Sequence, residues 1–111
     1  MSLSTHVLDA ATGRPAHGVP VRLTRGDTAA VLFSAVTDPD GRHRHQNDGE
    51  DVSLAAGIYE LTFDTGAYFA ASGQSGFYPS VTVTFEIVDP GAHHHVPLLL
   101  SPFAFSTYRG S

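Results

Sequence analysis

The sequence contains no cysteine and no lysine. The first absence removes disulfides, thiolate nucleophiles and cysteine-ligated zinc. The second removes Schiff-base chemistry on a lysine amine. All six basic residues are arginines: Arg14, Arg22, Arg25, Arg42, Arg44 and Arg109. Charged residues are only 15% of the chain, and the formal net charge is -5 with the acidic residues dispersed. Phosphate binding needs a basic stripe, so no nucleic acid partner is expected. No apolar run approaches the roughly 20 residues of a membrane-spanning helix. The opening "MSLSTHVLD" has no basic region followed by an apolar stretch, so neither a membrane association nor a signal peptide is expected. The "RGS" ending is not a peroxisomal "SKL" address. The default location is therefore cytoplasmic.

What is abundant is histidine, with seven in 111 residues. Histidine titrates near pH 6.5 and serves as acid, base or metal ligand. The length fits one domain spanning residues 1–111, large enough for a single core without staples. Short β-rich runs alternate with turn signals throughout. Strands are expected at Leu3 to Asp9, then around Val19, Val21 and Leu23 with Pro20 at a start or edge, and at Ala30 to Thr37 after a turn at Gly26 and Asp27. "DPDG" at 38–41 is a tight turn into a short strand from Arg42 to Gln46, and "NDGED" reads as a loop. Tyr59, Leu61 and Phe63 share one face of a fifth strand. "GAYFAASG" at 66–73 is the one expected helix. Val81, Val83, Phe85 and Ile87 alternate with Thr82, Thr84 and Glu86. His93 to Leu100 and Phe103 to Arg109 complete the set. The architecture expected is all-β: an antiparallel sandwich of seven or eight strands with Greek-key connections and one short helix.

Four segments carry candidate chemistry. In "HHHVPLLLS", strand alternation puts His93 and His95 on one face and His94 on the other with Val96, Leu98 and Leu100. That pair, with His6 or a carboxylate as a third ligand, suits a metal; catalysis and, foremost, a hydrated strand end are the competing readings. His6 lies within the first strand, where a hydrogen-bonded structural role competes with a functional one. "DPDGRHRH" clusters two arginines and two histidines past a turn, either as a solvated edge or as a well-aimed guanidinium for an oxyanion. "FSTYRGS" crowds Tyr108, Arg109 and Ser111 behind an apolar run. Ser111 has no "GxSxG" elbow around it, which favours hydrogen bonding or proton relay over a covalent serine mechanism.

Taken together, "LSTHVLDAATGRPAHGVPVRL", "TDPDGR", "GIYELTFDTGAYFAASGQSGFYP" and "HVPLLLSPFAFSTYRGS" resemble the transthyretin-like 5-hydroxyisourate hydrolases over nearly the whole chain. The closing "YRGS" is that family's most specific mark. The resemblance implies the transthyretin-like sandwich, assembled as a homotetramer (a dimer of dimers) with active sites in a channel where two dimers meet. It implies hydrolysis of 5-hydroxyisourate to 2-oxo-4-hydroxy-4-carboxy-5-ureidoimidazoline in urate breakdown. It assigns catalysis to His6, Arg42, His95 and Ser111, and substrate binding to Tyr108, Arg109 and Gly110. His6 and His95 would converge on the attacking water, Arg42 would hold the carbonyl oxygen, and Ser111 would relay a proton. Neither a metal nor another cofactor is expected. A transthyretin-like binding protein without catalysis is the alternative. Two positions depart from the family pattern: His43, where an apolar residue is usual, and Ala67, where an acidic residue is usual.

Overall fold

The computed structural model describes residues 2–26 and 28–111. Its strands are β1 (Leu3–Asp9), β2 (Arg14–Pro15), β3 (Pro20–Arg25), β4 (Val31–Val36), β5 (Arg42–Arg44), β6 (Gln46–Asn47), β7 (Glu50–Asp51), β8 (Gly57–Phe63), β9 (Val81–Ile87), β10 (His94–Ser101) and β11 (Ala104–Thr107). The one helix, α1, is Thr65–Ala71. Among the described residues, eight of these strands are three residues or longer, in keeping with the sandwich expected. One sheet runs β11-β10-β1, and the far edge of β1 is shared end to end by β5 and β2. The other runs β4-β3-β8-β9.

The alternation that marked the strands is the alternation that fills the core. Leu3 and Val7 of β1 and Val96, Leu98 and Leu100 of β10 turn inward from the first sheet. Val21, Leu23, Tyr59, Leu61 and Phe63 meet them from the second. Each such side chain contributes roughly 1.5–3 kcal/mol by leaving water. Buried hydroxyls are satisfied: Thr5 Oγ1 donates to the Val96 carbonyl at 2.6 Å, and Thr37 Oγ1 to the Ala16 carbonyl at 2.7 Å. Asp9 is buried where β1 ends and accepts from the Tyr68 hydroxyl at 2.7 Å, from Gln74, and from the main-chain N–H groups of Ala11 and Thr12. Burial alone would raise the Asp9 carboxyl; these donors outweigh it and leave it below its ordinary value. The same contact ties α1 to the sheet, and burial with Asp9 pushes Tyr68 up to about 12.

Several local expectations change. β1 and β10 pair in parallel, the exception in an otherwise antiparallel sandwich. "NDGED" is a tight hairpin of β6 and β7, not a loop, because Asp48 (φ 52°) and Gly49 (φ 81°) adopt the left-handed pair of a two-residue turn. β5 stops at Arg44, two residues short of the expected end, since that hairpin begins at Gln46. The helix starts one residue early and ends two early, with Asp64 Oδ1 capping the Ala67 N–H at 3.0 Å. The last strand is confined to Ala104–Thr107. Of the turn expected at Gly26 and Asp27, Asp27 lies outside the described residues.

The turn that aims Arg42 is the most constrained of these elements. Asp38 Oδ1 accepts from the N–H of Asp40 and of Arg42, each at 2.9 Å, and Gly41 N donates to the Asp38 carbonyl at 2.8 Å. Gly41 sits at φ 76°, and an added Cβ would run into the Val7 carbonyl oxygen. Its own carbonyl accepts from Val7 N at 2.7 Å, clamping the turn onto β1. Gly41→Ala should therefore destabilise the fold by roughly 1–3 kcal/mol. Urea unfolding checks this; a parental midpoint would mean that the turn moves freely against β1.

Candidate functional site

The outer face of the first sheet collects residues from distant parts of the chain by register alone. In the parallel ladder Ser4 stands opposite His95 and His6 opposite Pro97. In the antiparallel ladder on the other side, His6 stands opposite Arg42 and Ser4 opposite Arg44. Directly opposed residues share a face. His6, Arg42 and His95 thus lie on one surface, opposite the buried Thr5, Val7 and Val96. The positive charge of Arg42 and the rings of His6 and His93 all reach His95.

The closing segment joins them. β11 pairs with β10 from Leu98↔Thr107 to Ser101↔Ala104, and the pairing resumes at His95↔Gly110. Between these, Pro97 offers no N–H, and the ladder opens. Thr107 Oγ1 occupies the gap by donating to the Pro97 carbonyl at 2.7 Å. Gly110 N then donates to the His95 carbonyl at 2.9 Å. A side chain at 110 would collide with the His95 ring, so only glycine lets the backbone lie there. Ser111 follows, exposed, next to the residue that bridges to His95. Tyr108 is 59% exposed, and together with Arg109 it borders a groove of about 230 Å³ shared with Val83, Phe85 and His94. His6 and Arg42 do not line that groove. His95 does line it, so the groove carries Tyr108 and Arg109 up to one member of the His6–Arg42–His95 surface.

The three consecutive histidines divide as alternation requires. His94 is buried, while His93 and His95 face outward with rings 6.4 Å apart and nearly parallel. Ser4 Oγ lies 2.7 Å from His95 Nδ1 and 3.0 Å from His93 Nε2. His93 Nδ1 in turn lies 2.7 Å from Ser2 Oγ. Sequence reasoning paired His93 with His95 as candidate ligands but attached no role to Ser2 or Ser4; only the parallel pairing of β1 with β10 brings them together. Among the described residues, no group of three or more His, Cys, Asp or Glu side chains is disposed to hold a metal ion. His43 and His45 turn the other way and pack on Phe33, with ring centroids 5.0 and 4.5 Å from it. His43 thus fills an apolar slot, and His45 is half-buried where a solvated edge was expected.

The HIUase/Transthyretin family profile matches residues 3–110 of this chain. A 5-hydroxyisourate hydrolase from Rhizobium meliloti is 46% identical over 118 residues, covering 98% of this chain and 95% of that protein. The fold is also that of solved transthyretin-type sandwiches. A Klebsiella pneumoniae 5-hydroxyisourate hydrolase superposes with a TM-score of 0.85 at 41% identity, over 99% of this chain and 93% of the other. A transthyretin from Sparus aurata superposes at 0.84 with 30% identity, over 97% and 95%. The class these define is the transthyretin-like sandwich. Within it, the chain belongs to the HIUase/Transthyretin family.

Burial lowers His95 below the usual histidine value, and Arg42, His93 and His6 push it further the same way. His43, His45 and His94 are also lowered, in each case chiefly by burial. A histidine whose folded value lies below its unfolded one binds more protons when the chain unfolds. The stability it contributes is complete above the unfolded value near 6.5 and is lost as the pH falls below it. The urea midpoint should therefore drop between pH 7.5 and pH 5, ahead of carboxylate titration. A flat midpoint across that interval would contradict the burial of these rings.

Proposed function

We propose that the chain hydrolyses 5-hydroxyisourate to 2-oxo-4-hydroxy-4-carboxy-5-ureidoimidazoline, in urate breakdown, by acid–base activation of water. The observation that carries this reading is the shared face of His6, Arg42 and His95, with Gly110 bridged to His95. Opening the substrate ring requires a base for water, a donor for the developing oxyanion and an acid for the departing nitrogen. Because His95 is held low, its imidazole is neutral at physiological pH and able to take a proton. Arg42 is fixed through its main chain by the Asp38 turn and supplies a cation for the oxyanion. His6, opposite Arg42, orients the water. Ser111 completes a relay, and Tyr108, Arg109 and Gly110 bound the substrate.

The face is open in a single chain, and a second copy laid across it would make it a channel. β9 and β11 end their sheets without partners, and Phe77, Phe103, Phe105 and Tyr108 are exposed beside them. Pairing of these edges gives a dimer, and two dimers facing across the His6–Arg42–His95 surface give the homotetramer. Assembly would also bring the partner's closing segment within reach of that surface. The cytoplasm is the compartment this reading assigns.

The deciding assay follows the absorbance of freshly generated 5-hydroxyisourate against its spontaneous decay. Arg42→Gln, His6→Ala and His95→Ala should each lower the rate by roughly 10²–10⁴-fold, the range of acid–base and oxyanion effects. The rate should be insensitive to chelator and should fall as the pH drops through the lowered titration of His95. A parental protein that bound the substrate with no rate above the spontaneous one would favour the carrier reading instead. Zinc-restorable loss with chelator would replace the metal-free mechanism.

A further inference from the structure

The hydrogen bonds around Ser4 continue well beyond the residues that would touch substrate. From His95 Nδ1 the path runs to Ser4 Oγ at 2.7 Å, to His93 Nε2 at 3.0 Å, and from His93 Nδ1 to Ser2 Oγ at 2.7 Å. Ser2 Oγ accepts from Arg44 Nη2 at 3.3 Å, and Arg44 above all holds the Asp51 carboxyl well below the carboxylate range. Arg44 grips Asp51 with two bonds of 2.7 Å. Six side chains from β1, β5, β7, β10 and their flanks thus form one run that ends on the Arg44–Asp51 ion pair. His93 uses both ring nitrogens in the run and His95 only Nδ1, which leaves its Nε2 outside it.

The run has two consistent proton orders. In one, Ser2 donates to His93 Nδ1, His93 Nε2 donates to Ser4, and Ser4 donates to His95 Nδ1; His95 then carries its proton on Nε2. In the other, His95 Nδ1 donates to Ser4, Ser4 to His93 Nε2, and His93 Nδ1 to Ser2. His95 Nε2 is then a lone pair. The second order is the one that arms His95 as a base.

Resting on the hydrolase reading above, we infer that His93, acting through Ser4, is a positioning residue that receives the charge His95 acquires when it deprotonates water. As water adds to the carbonyl carbon, its proton goes to His95 Nε2. The Nδ1 proton of His95 passes to Ser4 Oγ, and the Ser4 hydroxyl proton passes to His93 Nε2. The positive charge finishes on His93 and the negative charge on the substrate oxyanion. When the ring nitrogen departs, the same protons return: His93 to Ser4, Ser4 to His95 Nδ1, and His95 Nε2 to the nitrogen. The gain is electrostatic. A cation on His95 faces Arg42 from β5 and His6 from β1, with the closing segment packed on its ring. A cation on His93 lies on the side of Ser2 and of Arg44, whose charge Asp51 already neutralises.

The test uses the full chain with Ser4→Ala, Ser4→Thr, His93→Phe and His93→Gln. Ser4 and His93 face outward and are only half-buried, and each has two variants, so the comparison survives one that folds poorly. The expected result is a kcat roughly 10- to 100-fold lower in Ser4→Ala and His93→Phe, less than removal of a direct base costs. KM should stay within about twofold and Ser4→Thr should restore the rate, as expected when an interaction acts only in the transition state. The rate against deuterium content should be curved in the parent, where several protons move together, and linear in Ser4→Ala. A merely structural role would alter stability or KM and leave that curvature. Parental kcat in both Ser4→Ala and His93→Phe, or unchanged curvature, overturns the inference. Ring ¹⁵N shifts of the free protein, followed against pH, give a substrate-independent arm. Linked titration of His93 and His95 that Ser4→Ala uncouples supports the run, and independent titration in the parent sinks it. A parent without hydrolase activity would instead remove the reading on which the catalytic role rests, while the ring shifts still decide the run.

Discussion

The parallel ladder between β1 and β10 is the constraint on which the rest depends. Its hydrogen bonds join two segments about ninety residues apart and set Leu3 against His94, Ser4 against His95 and so on to Asp9 against Leu100. The inward set of that register builds one wall of the core. The outward set builds the polar face. Because the side-chain period is two, the two results cannot be separated: a slip by one residue would bury His95 and expose Val96. Core packing therefore enforces the alignment of the chemistry, and no extra device is needed to place His6 near His95. β5 and the closing segment then attach to the two outer margins of this pair, each through contacts that admit only glycine at one point, Gly41 and Gly110.

Charge is distributed with similar economy. Arg42 is presented to the outer face, while Arg44 is occupied by Asp51 and Arg109 lies toward His94. Asp9, the one buried carboxylate in this part of the molecule, is on the inner side of β1 and fully engaged by hydrogen bonds, so it does not offset the potential at His95. The result is a surface on which a neutral His95 ring is favoured and anions are welcome. A guanidinium retains its charge at any pH at which a protein is folded. The acidity of the surface is therefore carried by the histidines alone.

Much of this was legible in the residues. Alternation in Val81–Ile87, in Tyr59–Phe63 and in His93–Leu100 predicted strands whose inward faces are the observed ones, because burial against a second sheet is what period two records. The family resemblance rested on motifs spread over the chain, and the family profile covers residues 3–110. Direction of pairing was not legible: no local feature of β1 or β10 says that they run parallel, since that follows from the route of the whole chain. The Asp48–Gly49 hairpin was passed over because its strands are two residues each, too short to show alternation. His43 and His45 looked like edge polarity, and only the position of Phe33 on β4 reveals that they pack. The networks of Ser2, Ser4 and His93 and of Asp9 and Tyr68 depend on contacts between segments far apart in sequence, which a single sequence does not display.

The free margins at β9 and β11 bear on how the chain fares in a crowded cell. Neither carries the usual deterrents against unwanted strand addition. β11 has no charge and no proline, and β9 has only Glu86. Exposed aromatic rings lie alongside, so a solitary copy presents adhesive backbone and adhesive side chains on the same flank. In the homotetramer proposed above, protection comes from occupancy rather than from local sequence. Under that assembly, newly made or diluted copies carry the greatest hazard of irregular strand addition.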